Sequence, residues 1–133
     1  MGGFALVTGA SSGIGLEICR SLAKRGVNVI LTSRSENKLK RISEEINLKY
    51  KVETAYFSCD LADDKGPQKI YDYCESKNYK VEILVNNAGY ALPNSFEENS
   101  VEDEEKCIRV LGTSVISLTK LFLRNMLKNG RGK

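Results

Sequence analysis

The densest run of residues able to do chemistry is Thr8-Gly9-Ala10-Ser11-Ser12-Gly13-Ile14-Gly15. Glycines at that spacing let a chain turn sharply, bring backbone N–H groups close to an anion and let the next helix pack tightly on the preceding strand. A helix opening there offers unpaired donors and the positive end of its dipole to a pyrophosphate. Ser11 and Ser12 can add hydroxyl donors. Further on stands Thr32-Ser33-Arg34. In a dinucleotide site an acid here accepts from a ribose 2′-hydroxyl, whereas a planar multi-donor cation suits a 2′-phosphate. Ser33 is not acidic and Arg34 is such a cation, so the pair favours NADP over NAD. In Cys59-Asp60-Leu61-Ala62, Asp60 could accept from an adenine amino group or cap the next helix. In Asn86-Asn87-Ala88-Gly89, small residues and amides would lie beside a cofactor. Each run also has a plainer reading, as a ligand-free turn or a solvated surface Arg. The agreement of all four argues against it.

The elements that must position these residues follow from the apolar pattern. Phe4–Thr8 reads as a buried strand, Gly15–Lys24 as a helix stopped by Gly26, and Val27–Thr32 as a β-branched second strand. An amphipathic helix is expected over Glu36–Asn47, with Leu39, Ile42 and Ile46 on one face. A strand follows over Val52–Phe57, then a helix over Asp63–Lys77 with Pro67 in its first turn, and a strand over Val81–Val85. A longer helix, about Val101–Lys128, carries Ile108, Leu111, Val115, Leu118, Phe122 and Met126 as a core-facing stripe, widened by Ile116, Leu123 and Leu127. Acids from Glu102 to Glu105 in its first turn and Lys128 in its last suit its dipole. Strands that alternate with helices and lack polar alternation predict an α/β fold, a Rossmann-type doubly wound parallel sheet with the first strand central. About four strands with flanking helices form one domain over residues 1–133. All four candidate motifs then fall at the carboxyl ends of strands, where open α/β sheets bind ligands.

Composition narrows the function classes. With 133 residues the chain can bury a core. It has no His, which excludes His-based triads, His-based zinc sites and HExxH proteases. The balance of 20 Lys+Arg against 17 Asp+Glu, a net +3, is too small and too scattered to argue for nucleic acid. Cys19, Cys59, Cys74 and Cys107 form no CxxC pair and are expected to be reduced thiols. The run Phe4–Val7 is far shorter than a signal-peptide core, and nothing approaches the apolar length of a membrane span. The expectation is a cytoplasmic protein with no metal site and no membrane or nucleic-acid partner.

Taken together, the four motifs resemble those of the short-chain dehydrogenase/reductase family: its TGxxxGxG loop, its basic NADP-selecting residue, its Asp-containing adenine contact and its NNAG motif. The resemblance covers essentially the whole chain. It implies that Gly9, Ser11, Ser12, Gly13, Ile14, Arg34, Asp60, Leu61, Asn87, Ala88 and Gly89 touch or shape a site for NADP (NADPH). It also implies hydride transfer between a nicotinamide and a small-molecule carbonyl or alcohol, and subunit contacts through the 101–128 helix.

Two departures accompany the match. The family's catalytic Asn, in the long helix after NNAG, would fall at Leu111, or at Arg109 if the register is shifted to match Gly112-Thr113. No Asn lies between Asn99 and Asn125. The sequence reaches Gly130-Arg131-Gly132-Lys133 where the family begins its fifth strand, and none of its six tyrosines sits in a plausible YxxxK. Tyr73 has Lys77 four residues on, but on a helix before NNAG, and reads as a chance surface pair. The sequence therefore predicts the cofactor half of an NADP-dependent oxidoreductase without the family's catalytic groups. The alternatives are a non-catalytic nucleotide-binding or assembly module and a ligand-free structural fragment.

Overall fold

The computed structural model describes residues 2–133. Its strands are β1 (Phe4–Thr8), β2 (Asn28–Ser33), β3 (Thr54–Ser58) and β4 (Val81–Val85). They pair in parallel in the order β3-β2-β1-β4, so β1 lies inside the sheet as expected. Successive strand residues point to opposite faces, and both faces are covered. Ala5, Val7, Val29 and Leu31 pack with Cys19 and Ala23 of α1 (Gly13–Lys24) and with Leu39 and Ile46 of α2 (Glu36–Tyr50). Leu6, Ile30 and Ala55 pack on the other side with Ile70 and Cys74 of α3 (Gly66–Ser76) and, further along the chain, with Leu118 and Phe122. A strand buried on both faces needs apolar residues at every position, which is why no polar alternation marks these segments.

Most element boundaries lie within a few residues of the sequence reading. The helix α1 begins at Gly13 rather than Gly15, and α2 continues to Tyr50, where Lys51 ends it with φ 58°. The start of α3 is later than Asp63. The Asp63 carboxylate accepts from the Lys65 N–H at 2.9 Å, and the Asp63 N–H donates to the Asp60 carbonyl, so this stretch is a turn.

The predicted long helix is corrected. It is α4 (Val101–Ile108), a π turn over Arg109–Thr113, and α5 (Ser114–Asn129). Ser100 caps α4 by accepting from the Asp103 N–H at 3.1 Å. Of the predicted stripe, Leu118, Phe122 and Met126 are buried, but Ile108 and Leu111 are 65% and 53% exposed. Val110 and Ser114 take their place in the core. The i→i+5 bonding of a π turn adds a residue to the turn and rotates the preceding face, which a constant helical period does not anticipate. The buried Ser114 hydroxyl donates to the Val110 carbonyl at 2.8 Å.

Gly130, at φ 67°, ends α5 in the left-handed region. Lys133 then donates its N–H to Glu82 and accepts from the N–H of Leu84, at 2.9 and 3.0 Å, a parallel bridge on the β4 edge. Among the described residues, no helix is long and apolar enough to cross a membrane. The four cysteines are free thiols.

Candidate functional site

The carboxyl ends of the four strands surround one cleft of about 1080 Å³. The crossover from β1 to β2 and β3 runs to one side and β4 lies on the other, so the cleft sits at the topological switch point of the sheet. Gly9, Ser11, Ser12 and Ile14 border it from β1, Arg34 from β2, Asp60 and Leu61 from β3, and Asn87, Ala88 and Gly89 from β4. Gly13 is the one candidate residue outside that border; it opens α1 on the neighbouring surface.

Packing explains the glycine spacing. Gly9 has φ +64°, and a Cβ there would stand 2.9 Å from the Ala88 Cα. A Cβ on the buried Gly15 would land on the Gly9 carbonyl oxygen and the Asn87 amide nitrogen. A Cβ on Gly13, by contrast, would meet nothing beyond its own stretch of chain within 4 Å, so what calls for glycine there is its φ of +55° and not packing. The loop is therefore pressed against the protein at both ends and open between them.

Thr8 and Asn87 hold that shape. The buried Thr8 hydroxyl accepts from the N–H groups of Asn87 and Ala88 at 3.0 and 2.9 Å. The Asn87 side-chain amide donates to the carbonyl oxygens of Thr8 and Gly9 at 3.1 and 3.3 Å. The Asn87 amide thus joins the end of β4 to the glycine loop. The Ala10 N–H donates to the Thr32 carbonyl at 3.1 Å, tying the loop to β2 as well.

At the β2 end, the Arg34 side chain is exposed, and among the described residues no carboxylate pairs with it. Its carbonyl accepts from the Ser58 hydroxyl at 3.0 Å, which fixes the backbone beneath it. At the β3 end, Asp60 is exposed and uses one carboxylate oxygen to accept from the Ala62 N–H at 2.9 Å. It caps a turn rather than α3, which starts at Gly66. Leu61 is 7% exposed and belongs mainly to the core. Arg109, in the π turn, reaches back to the Ala62 carbonyl at 3.4 Å and pairs with Glu105 at 3.5 Å.

Sequence reasoning missed several residues on the border of the cleft, among them Lys38 and Val110. Lys38 stands four residues after Arg34, a spacing that was legible. Val110 reaches the cleft through the π turn, which carried no local signal. A carbonyl acid or base is not supplied by Tyr73. It is half-buried and not a surface group: its ring stacks on Phe57 at 4.7 Å, and burial pushes its phenol up to about 12. Cys59 borders the cleft, but burial pushes its thiol up to about 11, so it is a weak nucleophile there.

Open backbone at a helix start and an unpaired cation at the β2 end make a donor set that fits a dinucleotide with an added phosphate. The profile of a family described as short chain dehydrogenase matches residues 3–133. The chain belongs to the short-chain dehydrogenase family. Among curated members, a very-long-chain 3-oxoacyl-CoA reductase of Bos taurus is 36% identical over 138 residues, covering 99% of this chain and 43% of that protein. The protein of the same description from Eremothecium gossypii is 38% identical over 134 residues, covering 98% and 38%. This short-chain dehydrogenase sequence therefore spans less than half the length of the curated relatives it matches. Among solved structures, L-sorbose reductase from Gluconobacter frateurii, complexed with NADPH and L-sorbose, superposes with a TM-score of 0.91 at 28% identity. That match covers 98% of this chain and 50% of the other. An alcohol dehydrogenase from Thermococcus sibiricus, complexed with 5-hydroxy-NADP, gives 0.88 at 30% identity, with 98% and 56% covered. Its place in the short-chain dehydrogenase family and the Rossmann-type sheet agree with the sequence reading.

Proposed function

We propose that the cleft binds NADP(H), and that this chain is the cofactor-holding part of an oxidoreductase acting on a carbonyl or alcohol. When bound, the cofactor supplies or accepts a hydride at its nicotinamide. The chain's own residues bind and orient it. Backbone N–H groups from Ser11 to Ile14, with the Ser11 and Ser12 hydroxyls, take the pyrophosphate. Arg34 takes the 2′-phosphate, Asp60 and Leu61 border the adenine, and Asn87 to Gly89 border the path toward the nicotinamide. The observation that carries the NADP reading is the unpaired, exposed Arg34 at the end of β2. That two structural relatives are complexed with NADPH and with 5-hydroxy-NADP supports it. The names of the curated relatives support a 3-oxoacyl thioester as substrate of the whole protein.

The test is titration with NADPH and NADH, followed by cofactor fluorescence. Arg34→Ala should weaken NADPH by about tenfold or more and leave NADH nearly unchanged, since one charge-assisted contact is worth roughly 1.5–3 kcal/mol. Equal loss for both, or NADPH binding no tighter than millimolar in the unaltered chain, would overturn the reading.

A second reading, nucleotide binding without catalysis, is favoured by Leu111, an apolar and exposed residue where the family resemblance expects Asn. Residues 1–133 assayed with NADPH and a carbonyl panel should show no turnover; measurable turnover would remove this reading. The exposed Ile116, Leu123 and Leu127 on α5 support self-association through that helix. Sedimentation should then show a species heavier than 14.8 kDa; a monomer at all concentrations would count against it.

A further inference from the structure

We infer that the amino end of the sheet, opposite the cleft, is a docking surface for an anionic lipid bilayer, held by six cations that the fold gathers from three turns. The inference stands apart from the NADP(H) reading and concerns the other end of the molecule. The turn into β2 carries Lys24 and Arg25, the turn into β3 Lys49 and Lys51, and the turn into β4 Lys77 and Lys80. In the sequence these pairs are separated by whole strands and helices and read as scattered charge. Parallel pairing of the four strands brings the turns to one end. Hydrogen bonds join them there. The Phe4 N–H donates to the Lys80 carbonyl at 2.7 Å, and the Asn28 side chain donates to the Gly2 carbonyl at 3.4 Å and accepts from the Glu53 N–H at 2.9 Å. With neighbouring strands about 4.8 Å apart, the turns span about 14 Å.

All six cations are exposed, and among the described residues none lies within ion-pair distance of a carboxylate. Glu53 is the one acid from Lys24 to Val27, Lys49 to Glu53 and Lys77 to Lys80. Without these turns the rest of the chain carries more acids than bases, so the net positive charge resides at this end. A cation in the last turn of a helix answers the dipole there, and Lys24 and Lys49 do so for α1 and α2. Each turn carries a further one. Lys51 is the plainest excess, because it holds φ 58° in the left-handed position that ends a helix and favours glycine. Single-stranded nucleic acid binds through aromatic platforms. Here Tyr79 packs on Phe4 at 4.6 Å and Lys49 lies 5.3 Å over the Tyr50 ring, so neither ring is free. Leu48, in the last turn of α2, is 67% exposed. An apolar side chain beside Lys49 and Lys51 suits a bilayer interface and gives nothing to a polyanion. Docking by this end leaves the cleft facing water.

Co-sedimentation of the chain with phosphatidylcholine vesicles, with and without about a third of phosphatidylserine, tests this. The chain should pellet with the anionic vesicles and not with the neutral ones. Salt near 1 M, where the Debye length is about 3 Å, should release it. Lys51→Gln with Lys80→Gln should weaken binding about twenty-five-fold, at about fivefold (1 kcal/mol) for each cation near the surface. Lys24→Gln with Lys77→Gln should do the same, so if one pair fails to fold in thermal unfolding the other decides. Lys51→Arg with Lys80→Arg should keep the affinity. Lys120→Gln with Lys128→Gln, on the exposed side of α5, should leave it unchanged. No pelleting with anionic vesicles, or equal pelleting with neutral ones, would overturn the inference. So would a loss confined to the α5 pair, or release from the vesicles by a single-stranded oligonucleotide that the chain binds more tightly.

Discussion

Asn87 shows how one side chain can shape a ligand site from behind. Its amide donates to Thr8 and Gly9, and its N–H is held by the Thr8 hydroxyl. A residue that met only a ligand would leave the ligand-free protein unchanged when truncated. Asn87→Ala should instead lower stability by about 1–3 kcal/mol, because buried carbonyl groups lose their partner. Urea unfolding without cofactor measures this, and an unchanged midpoint would contradict the clamp. NADPH affinity should fall in the same variant as the loop loosens. The glycine motif was legible because it needs only neighbours in sequence. The clamp was not: Asn87 and Thr8 are 79 residues apart, and nothing in either segment announces the other.

The π turn over Arg109–Thr113 decides which residues of the long helical segment face the core. A regular period favoured Leu111; the structure buries Val110 and leaves Leu111 53% exposed. The two positions are adjacent, so a paired substitution separates the alternatives. Val110→Ala should cost about 1–3 kcal/mol, the value of a buried Val side chain. Leu111→Ala should change stability by no more than about 0.5 kcal/mol, as surface substitutions do. The reverse ranking in thermal or urea unfolding would mean an unbroken α-helix in the sequence-based register. From Ser114 onward the expected stripe at Leu118, Phe122 and Met126 is the observed one, because α5 is regular again. The break at the π turn also sets Arg109 against the Ala62 carbonyl and places Val110 on the cleft.

Across the molecule, burial on both sides of the sheet sets the reactivity of the thiols. Cys19 is on the buried face of α1 and Cys74 on that of α3, and desolvation pushes both up to about 12. At pH 8 both are protonated in the folded protein, and iodoacetamide should leave them unmodified until denaturant opens the core. Labelling both only through global unfolding would give two probes, one per face, that report the same free energy. If Cys74 reacted well before Cys19, the α3 face would be opening independently. The charge pair Asp63–Lys69, at 2.9 Å, belongs to the surface turn before α3. The Lys65 N–H first and Lys69 second hold Asp63 down at about 2. A depressed carboxylate contributes stability above its ordinary value near 3.8, and that contribution is lost as pH falls toward 2. Asp63→Asn should therefore flatten the acid end of the stability profile between those values and leave neutral pH little changed relative to it. An acid limb identical to that of the unaltered protein would exclude a part for this pair.

The alternation of strands and helices, the central position of β1, the loop chemistry from Gly9 to Gly15 and the cation at Arg34 were all readable without coordinates. Each depends on residue types within a few positions of one another, and right-handed crossovers then leave few ways to arrange the strands. Three features could not be read that way. The Thr8–Asn87 clamp joins strand ends that become neighbours only when β4 docks on β1. The exposure of Leu111 follows from a backbone that changes its hydrogen-bond step in mid-helix. The company of Arg34 and Lys38 on one cleft depends on how α2 meets the rim of the sheet. Hydrogen bonds and burial between distant segments, and a local change of helical pitch, have no period for a pattern to register.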